Sequence, residues 1–439
     1  MDSQEMKHLA KMMILEGVSA ADPEHLINKQ FRVENNTLYI GKKDYRLQDF
    51  EEVLLFGIGK ASVPMASALK GLDPDDGLMI TQEGHTYEKD SCPVPIKEAK
   101  HPYPEETNLK ATETLLSKLE GKKEALIIFL ISGGGSALFF YPVHGVSLTE
   151  MNELNRILVR SGADIHEMNA VRKHLSKVKG GMFAKLCEEK GHLVSLIISD
   201  VVDDDLDVIA SGPTSPDTST FQDAVDVLKT YDLWKDAPKS IKKHLNKGVR
   251  GEIPETPDHI RVDNNLIGSN FDALTAAAAF AEKKGLNTMI LSSKNKGEAR
   301  EVAKTLMGIA KEIQDTENPL KPPAAVIIGG ETTVSLDMDK KVGKGGPNRE
   351  LVLSAAEEIE GRKNIVIASA DSDGIDGTDK AGAVADCESI SRFKKKTSPL
   401  LQAHDSQRFF EELNDSLEFE SRTNVNDVTI ILVGEKDRD

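Results

Sequence analysis

Eight short runs of apolar residues punctuate the chain. VLLFGIG (53–59), GLMIT (77–81), ALIIFLISGG (125–134) and LVSLIISD (193–200) lie in the first half, and NTMILSS (287–293), AAVIIGG (324–330), NIVIASA (364–370) and VTIILVGE (428–435) in the second. Their apolar character is continuous instead of alternating, as expected of strands buried on both faces in parallel sheets. The segments between them carry helical periodicity. DALTAAAAFAEKKG and EAREVAKTLMGIAKEI read as helices; in the second, Val302, Leu306, Ile309 and Ile313 share one face, and Glu298 at its start suits the helix dipole. The first residues, MDSQEMKHLAKMMILEGVSAADPEHL, mix charged and apolar positions at helical spacing and predict an amphipathic helix with no apolar leader core or cleavage site. The expected fold class is α/β.

At 439 residues the chain exceeds one ordinary hydrophobic core, which predicts two α/β domains. The Pro-, Gly- and charge-rich segment NKGVRGEIPETPDHIRVDNN (246–265) is the expected linker, giving domains 1–245 and 246–439. No run approaches the roughly 18–20 apolar residues of a membrane span, so no membrane partner is expected. Cys92, Cys187 and Cys387 are far apart with no metal-type spacing, which points to a reducing, cytoplasmic setting. A net charge of −17 argues against a nucleic-acid partner, and leaves anionic small molecules to sites where a few cations and backbone N–H groups converge.

The residues that follow the strands carry the chemistry, because open parallel sheets bind ligands beyond the carboxyl ends of their strands. After 125–131 comes Ser132-Gly133-Gly134-Gly135-Ser136; consecutive glycines can present several N–H groups to one phosphate. After 53–59 comes Gly-Lys-Ala-Ser. It resembles a dinucleotide loop, but Ser62 stands where the third glycine is needed, so Lys60 is read instead as a cation facing a transferring phosphoryl group. Asp200 follows directly on a buried strand, where a carboxylate needs a partner, and is the leading metal or base candidate; Asp203, Asp204, Asp205 and Asp207 are expected at the surface.

Further on, GGETTV contributes Glu331, and GKGGPNRE places Asn348 and Arg349 at the start of a helix, where a cation opposes the dipole unless an anion offsets it. ADSDGIDGTDKAG holds Asp371, Asp373, Asp376 and Asp379 in a glycine-rich loop. In MNAVRKHLSKVKGG, Met168, Val171, Leu175 and Val178 form a core stripe beside Arg172, Lys173, Lys177 and Lys179. In so acidic a chain, one or two of these cations are candidates for holding a carboxylate substrate.

Together, GIGKAS, ISGGGSAL, MNAVRKHLSKVKGG, SDVVDDDLDVIASGPTSPD, GKGGPNRELVLSAA and ASADSDGIDGTDKAGA strongly resemble the glycerate 2-kinase family with its C-terminal MOFRL domain, over nearly the whole chain. The resemblance implies a Rossmann-like N-terminal domain, a smaller C-terminal α/β domain and an active site in the cleft between them. It also implies ATP-dependent phosphorylation of D-glycerate at the 2-hydroxyl with Mg²⁺. By the same resemblance Lys60 and Arg349 are the catalytic cations, and Ser132 to Ser136 form the phosphate loop. Asn169, Arg172, Lys173, Glu331 and Asn348 are expected at substrate or phosphate. Asp200, Asp373 and Asp376 are expected at the metal, with Asp200 also a candidate base. GIDGTDKAG is one residue shorter than the usual family form. The alternative reading is a nicotinamide-dependent hydroxypyruvate reductase, for which His85, His101 and His174 are the candidate proton donors. The oligomeric state stays open, a homodimer being one option.

Overall fold

The unbroken apolar runs form the centres of two sheets. The computed structural model describes residues 1–84, 91–336 and 342–436, so His85 lies outside the described residues. The chain divides into two compact units, Leu26–Ile267 and Met1–His25 with Gly268–Asp439.

In the Leu26–Ile267 unit, β1 (Phe31–Glu34), β2 (Thr37–Ile40) and β3 (Lys43–Arg46) make a small antiparallel meander. Then come β4 (Val53–Ile58), β5 (Asp76–Gln82), β6 (Ile96–Ala99), β7 (Ala125–Ile131), β8 (Gly191–Ile198) and β9 (Asp263–Gly268), arranged β6-β5-β4-β7-β8-β9. Strands β6 through β8 pair in parallel throughout. Every residue of β4 and β7 is buried, as their composition predicts. Ala111 and Leu115 of helix Glu106–Ser117 and Phe183 of helix Met182–Cys187 pack on Phe129 and Ile127 of β7. A second core joins helices Leu148–Arg160, Ile165–Lys173, Phe221–Thr230 and Lys239–Val249. Three of these four start at capping boxes, Ser147 with Glu150, Asp164 with Glu167 and Thr220 with Asp223.

The other unit contains β10 (Asn287–Glu298), β11 (Ala324–Thr333), β12 (Ile365–Asp371), β13 (Gly382–Asp386), β14 (Ser416–Leu417) and β15 (Asp427–Val433), in the order β10-β11-β15-β12-β13-β14. Here the expectation of a parallel sheet fails. Only β10 and β11 run parallel; β15 lies antiparallel between β11 and β12, and β13 and β14 continue antiparallel. A strand enclosed by helices on both faces is apolar whichever way it runs, so composition reports enclosure and is blind to direction. Val326, Ile367 and Ile431 pack with helices Ala299–Thr316 and Pro347–Glu358. Helix Asn270–Lys283 packs on β10 and β11, and the predicted first helix, Ser3–Ala20, on β12 and β15.

That first helix is held to the C-terminal half by specific contacts. Lys7 is buried and paired with Asp386 and Asp415, each at 3.0 Å. Gly17 lies so close to helix Asn270–Lys283 that a Cβ would sit 2.8 Å from the Ala273 carbonyl oxygen. The expected boundary near residue 245 therefore differs from the division the structure makes. Residues 246–265 stay with the first sheet, where Asp263 at the start of β9 accepts hydrogen bonds from Tyr45 (2.8 Å) and His192 (2.9 Å). Proline, glycine and charge mark this segment as surface chain without locating the change of unit.

Candidate active site

At the carboxyl ends of β4 and β7 two turns are stitched together. The N–H of Lys60 donates to the Gly133 carbonyl (2.9 Å), that of Ala61 to Ser132 Oγ (3.0 Å) and that of Ser132 to the Ile58 carbonyl (3.1 Å). Gly59 has φ +111°, and a Cβ there would collide with Ser132. The N–H groups of Gly59 and Ser62 donate to Ile80 and to Gly59 itself (3.1 and 3.2 Å). The turn that resembles a dinucleotide loop thus has its amides engaged by its own chain.

Asp200, just past β8, closes on the same turns. A Cβ on Gly133 would lie 2.7 Å from Asp200 Oδ2, and the Gly134 N–H donates to the Asp200 carboxylate. Gly134 has φ +81°, and a Cβ there would lie 3.3 Å from the His101 ring and 3.6 Å from Lys60 Cγ. Lys60, Asp200 and His101 therefore gather around the Gly133–Gly134 turn. Burial raises the Asp200 carboxyl above its ordinary value, while the N–H donors and Lys60 oppose the shift. Burial, with Lys60 adding to it, pushes the His101 imidazole down to about 4.

The far end of the glycine loop meets the basic helix. Lys179 Nζ donates to the Ser136 carbonyl (2.5 Å) and hydroxyl (3.0 Å). The Ser136 hydroxyl bonds Ser211 (2.8 Å), whose own hydroxyl reaches Asn169 Oδ1 (3.1 Å). Ala210, Ser211 and Gly212 are all left-handed, at φ 52°, 61° and 63°. Two successive non-glycine residues in that region are held there by surrounding contacts. Lys173 is buried against Asp207 (3.1 Å) and Asp217 (3.3 Å).

The second unit presents a different set. Arg349, at the start of helix Pro347–Glu358, is fully buried. Its offsetting anion is Asp376, which accepts from the N–H groups of Asn348 and Arg349 (both 2.9 Å) and from Arg349 Nε (3.2 Å). Arg349 Nη2 also donates to the Asp376 carbonyl (2.6 Å) and to Thr378 (2.5 Å). Asn348 donates to Asp427 Oδ1 (2.6 Å) and accepts from Ser369 (2.5 Å). Asp427 faces Asp371 across the β15–β12 ladder. Burial pushes Asp427 up to about 8, with the charges of Asp376 and Glu331 adding to it and the donors Asn348 and Thr332 opposing. Asp371 lies well above the carboxylate range through burial and the charges of Asp373 and Asp427.

Residues 9–246 match the family model described as a domain of unknown function, DUF4147, and residues 324–427 match the MOFRL family. A glycerate 2-kinase of Pyrococcus horikoshii is 37% identical over 99% of this chain and 99% of its own. The chain belongs to the glycerate 2-kinase family. A solved member, the glycerate kinase of Thermotoga maritima, is 35% identical and superposes with a TM-score of 0.84 over 98% of this chain and 100% of that one. An Agrobacterium vitis protein named a putative hydroxypyruvate reductase is 39% identical over 87% of each chain.

Within this chain, Lys60, Asp200 and Ser132 to Ser136 come together, and Asn169 and Arg172 lie by the far end of the loop. Lys173 is ion-paired to Asp207 and Asp217, and Asp207, expected at the surface, is partly exposed there while holding this pair. Arg349, Asn348 and Asp376 belong to one buried network, in which the Asp376 carboxylate anchors the helix start. Asp373 caps its own loop by accepting from Ile375 (2.9 Å), and Glu331 is exposed at the end of β11. Among the described residues no three His, Cys, Asp or Glu side chains are placed to hold a metal ion by themselves. His174, expected only under the reductase reading, is buried and bonded to Ala170 and Glu255, away from the glycine loop. Ser211 and Asp427 were not anticipated. Asp427 carries a signal of the same kind as Asp200, a carboxylate at the end of a buried, mostly apolar run.

Proposed function

We propose that the protein phosphorylates D-glycerate at its 2-hydroxyl with ATP, giving 2-phosphoglycerate and ADP. The observation that carries this reading is the gathering of Lys60, Asp200 and the side-chain-free Gly133–Gly134 turn at the ends of three parallel strands. Phosphoryl transfer depends on alignment and charge neutralisation more than on covalent chemistry. Lys60 neutralises the transferring phosphoryl group, and the glycine turn lets a phosphate approach the backbone. Asp200, whose carboxyl is raised by burial, takes the proton of the attacking hydroxyl. Arg349 is the second cation the family resemblance assigns to the reaction; its Nη1 makes no hydrogen bond and lies 3.6 Å from Asp379 Oδ1.

The carboxylate of Asp373 suits Mg²⁺, which binds through one or two carboxylates with phosphate oxygens and water completing the shell. Bound there, the ion would supply positive charge to the nucleotide phosphates. Three free cysteines agree with a cytoplasmic setting. The name borne by the Agrobacterium relative supplies a second reading, reduction of hydroxypyruvate. It needs amides of the Gly59–Ser62 turn for a pyrophosphate, and those amides are hydrogen-bonded within the chain.

The test is incubation with MgATP and D-glycerate, followed by phosphorus NMR, with hydroxypyruvate and NADH or NADPH alongside. A Mg²⁺-dependent 2-phosphoglycerate resonance is the expected result. Oxidation of the nicotinamide with ATP intact would replace the kinase reading by the reductase.

A further inference from the structure

Of the four buried or half-buried cations of the segment 168–181, Lys177 lies over the Tyr141 ring, and the chain treats the other three differently. Lys173 receives two carboxylates, Asp207 and Asp217. Arg172 and Lys179 receive none: among the described residues, Arg172 donates from Nε to the neutral Asn155 (3.0 Å), and Lys179 to Ser136 alone. Lys179 is 4% exposed, and Arg172 is the charged group that acts on it. Beside them, the Asn169 amide nitrogen is buried without a partner, in a side chain only 2% exposed. Two uncompensated cations and an orphaned donor in a chain of net charge −17 are costly unless an anion completes them.

We infer that Arg172, Lys179 and Ser136 form the seat of the substrate's carboxylate, an inference that rests on the kinase reading for the identity of the hydroxy acid. One end of the glycine loop, Gly133, faces Asp200, and the other end, Ser136, lies on Lys179. A 2-hydroxy acid laid along this loop presents its hydroxyl to Asp200 and its carboxylate to Ser136 and Arg172. The terminal nitrogens of Arg172 have no partner among the described residues and match a carboxylate edge to edge. Lys179 acts as a positioning residue beneath them, fixing Ser136. Burial, with Arg172 adding to it, pushes the Lys179 ammonium down to about 7, so it is largely neutral at mildly alkaline pH. An arriving carboxylate restores its charge, and binding takes up a proton.

The experiment is calorimetric titration of the full chain with D-glycerate at mildly alkaline pH, in Pipes and in Tris, whose ionisation enthalpies differ. Proton uptake is expected with D-glycerate and none with uncharged D-glyceramide. Arg172→Gln and Lys179→Met each weaken D-glycerate binding and raise its KM by at least about tenfold, the loss of one charged hydrogen bond. In both, kcat changes much less than KM, and the KM for ATP is unchanged. Unaltered D-glycerate affinity in the folded variants, or the absence of proton uptake, overturns the inference. So does a loss confined to ATP or inorganic phosphate, which would make the seat a phosphate site. If Lys179→Met does not fold, Arg172→Gln decides alone. D-glycerate binding without phosphoryl transfer defeats only the kinase reading, whereas phosphorylation that both variants leave untouched defeats only the carboxylate seat. A wild-type chain that does not bind D-glycerate defeats both.

Discussion

The backbone N–H of Lys60 donates to the carbonyl of Gly133 over 2.9 Å, tying the turn after β4 to the turn after β7. The position of the Lys60 amine thus depends on main chain, and truncating its side chain leaves the tie in place. Lys60→Ala is expected to lower kcat at least about a hundredfold, the scale of a cation acting in the transition state of phosphoryl transfer. Its melting temperature should remain close to that of wild type. Turnover near normal in the folded variant would remove Lys60 from the mechanism.

Gly133 leaves room for the Asp200 carboxylate, and a methyl group there would lie 2.7 Å from Oδ2. Gly133→Ala should therefore displace Asp200 and reduce kcat/KM more than it reduces stability. Steady-state kinetics and a denaturant titration on the same preparation separate the two effects. A variant with full activity would show that Asp200 need not stand where it does.

Arg349→Ala has a different expected outcome. The guanidinium and Asp376 are both fully buried, so removing the cation strands a carboxylate, at a cost of about 3–5 kcal/mol. Loss of activity in this variant will accompany loss of stability. Arg349→Lys, which keeps a charge but cannot reproduce the fork to Asp376 and Thr378, should recover part of the stability and little of the activity. A fully stable Arg349→Ala chain would mean that the network does not hold its loop.

His101 titrates at about 4 in the fold, against about 6.5 in an unfolded chain. Its folded value is depressed, so its contribution to stability is present above the unfolded value and is lost as pH falls toward 4. Denaturation measured from neutral to acid pH should show stability declining across this window, and the decline should be shallower in His101→Gln. An identical slope in the variant would assign the acid sensitivity to other groups. Because the imidazole stays neutral over the ordinary working range, His101 should contribute no limb to the pH profile of kcat there.

The strands were legible because enclosure on both faces leaves an unbroken apolar signature. Their direction was not, and β15 shows why: its residues pack as they would in a parallel sheet, while its ladder partners run the other way. Lys60, Ser132 to Ser136 and Asp200 could be grouped because each follows a strand of a sheet that is parallel. The roles of the neighbouring cations could not be sorted this way. Spacing shows Lys173 and Lys179 as equivalent, and only chain folding back from Asp207 and Asp217 neutralises one and spares the other. At Arg349 the helix-dipole argument correctly required an anion, but the chain itself provides it in Asp376.

The attachment of helix Ser3–Ala20 to the second unit sets an order on synthesis. Met6, Met13 and Ile14 are made before the Leu26–Ile267 unit, yet Ala273 and the strands that cover them are made only after the whole of it. At roughly 5–20 residues per second, the apolar face of that helix stays uncovered for about 20–80 s, until β15 is made. During this interval the Leu26–Ile267 unit can complete its own parallel sheet, whereas the other unit, built from segments on either side of it, becomes whole only once β15 has been made.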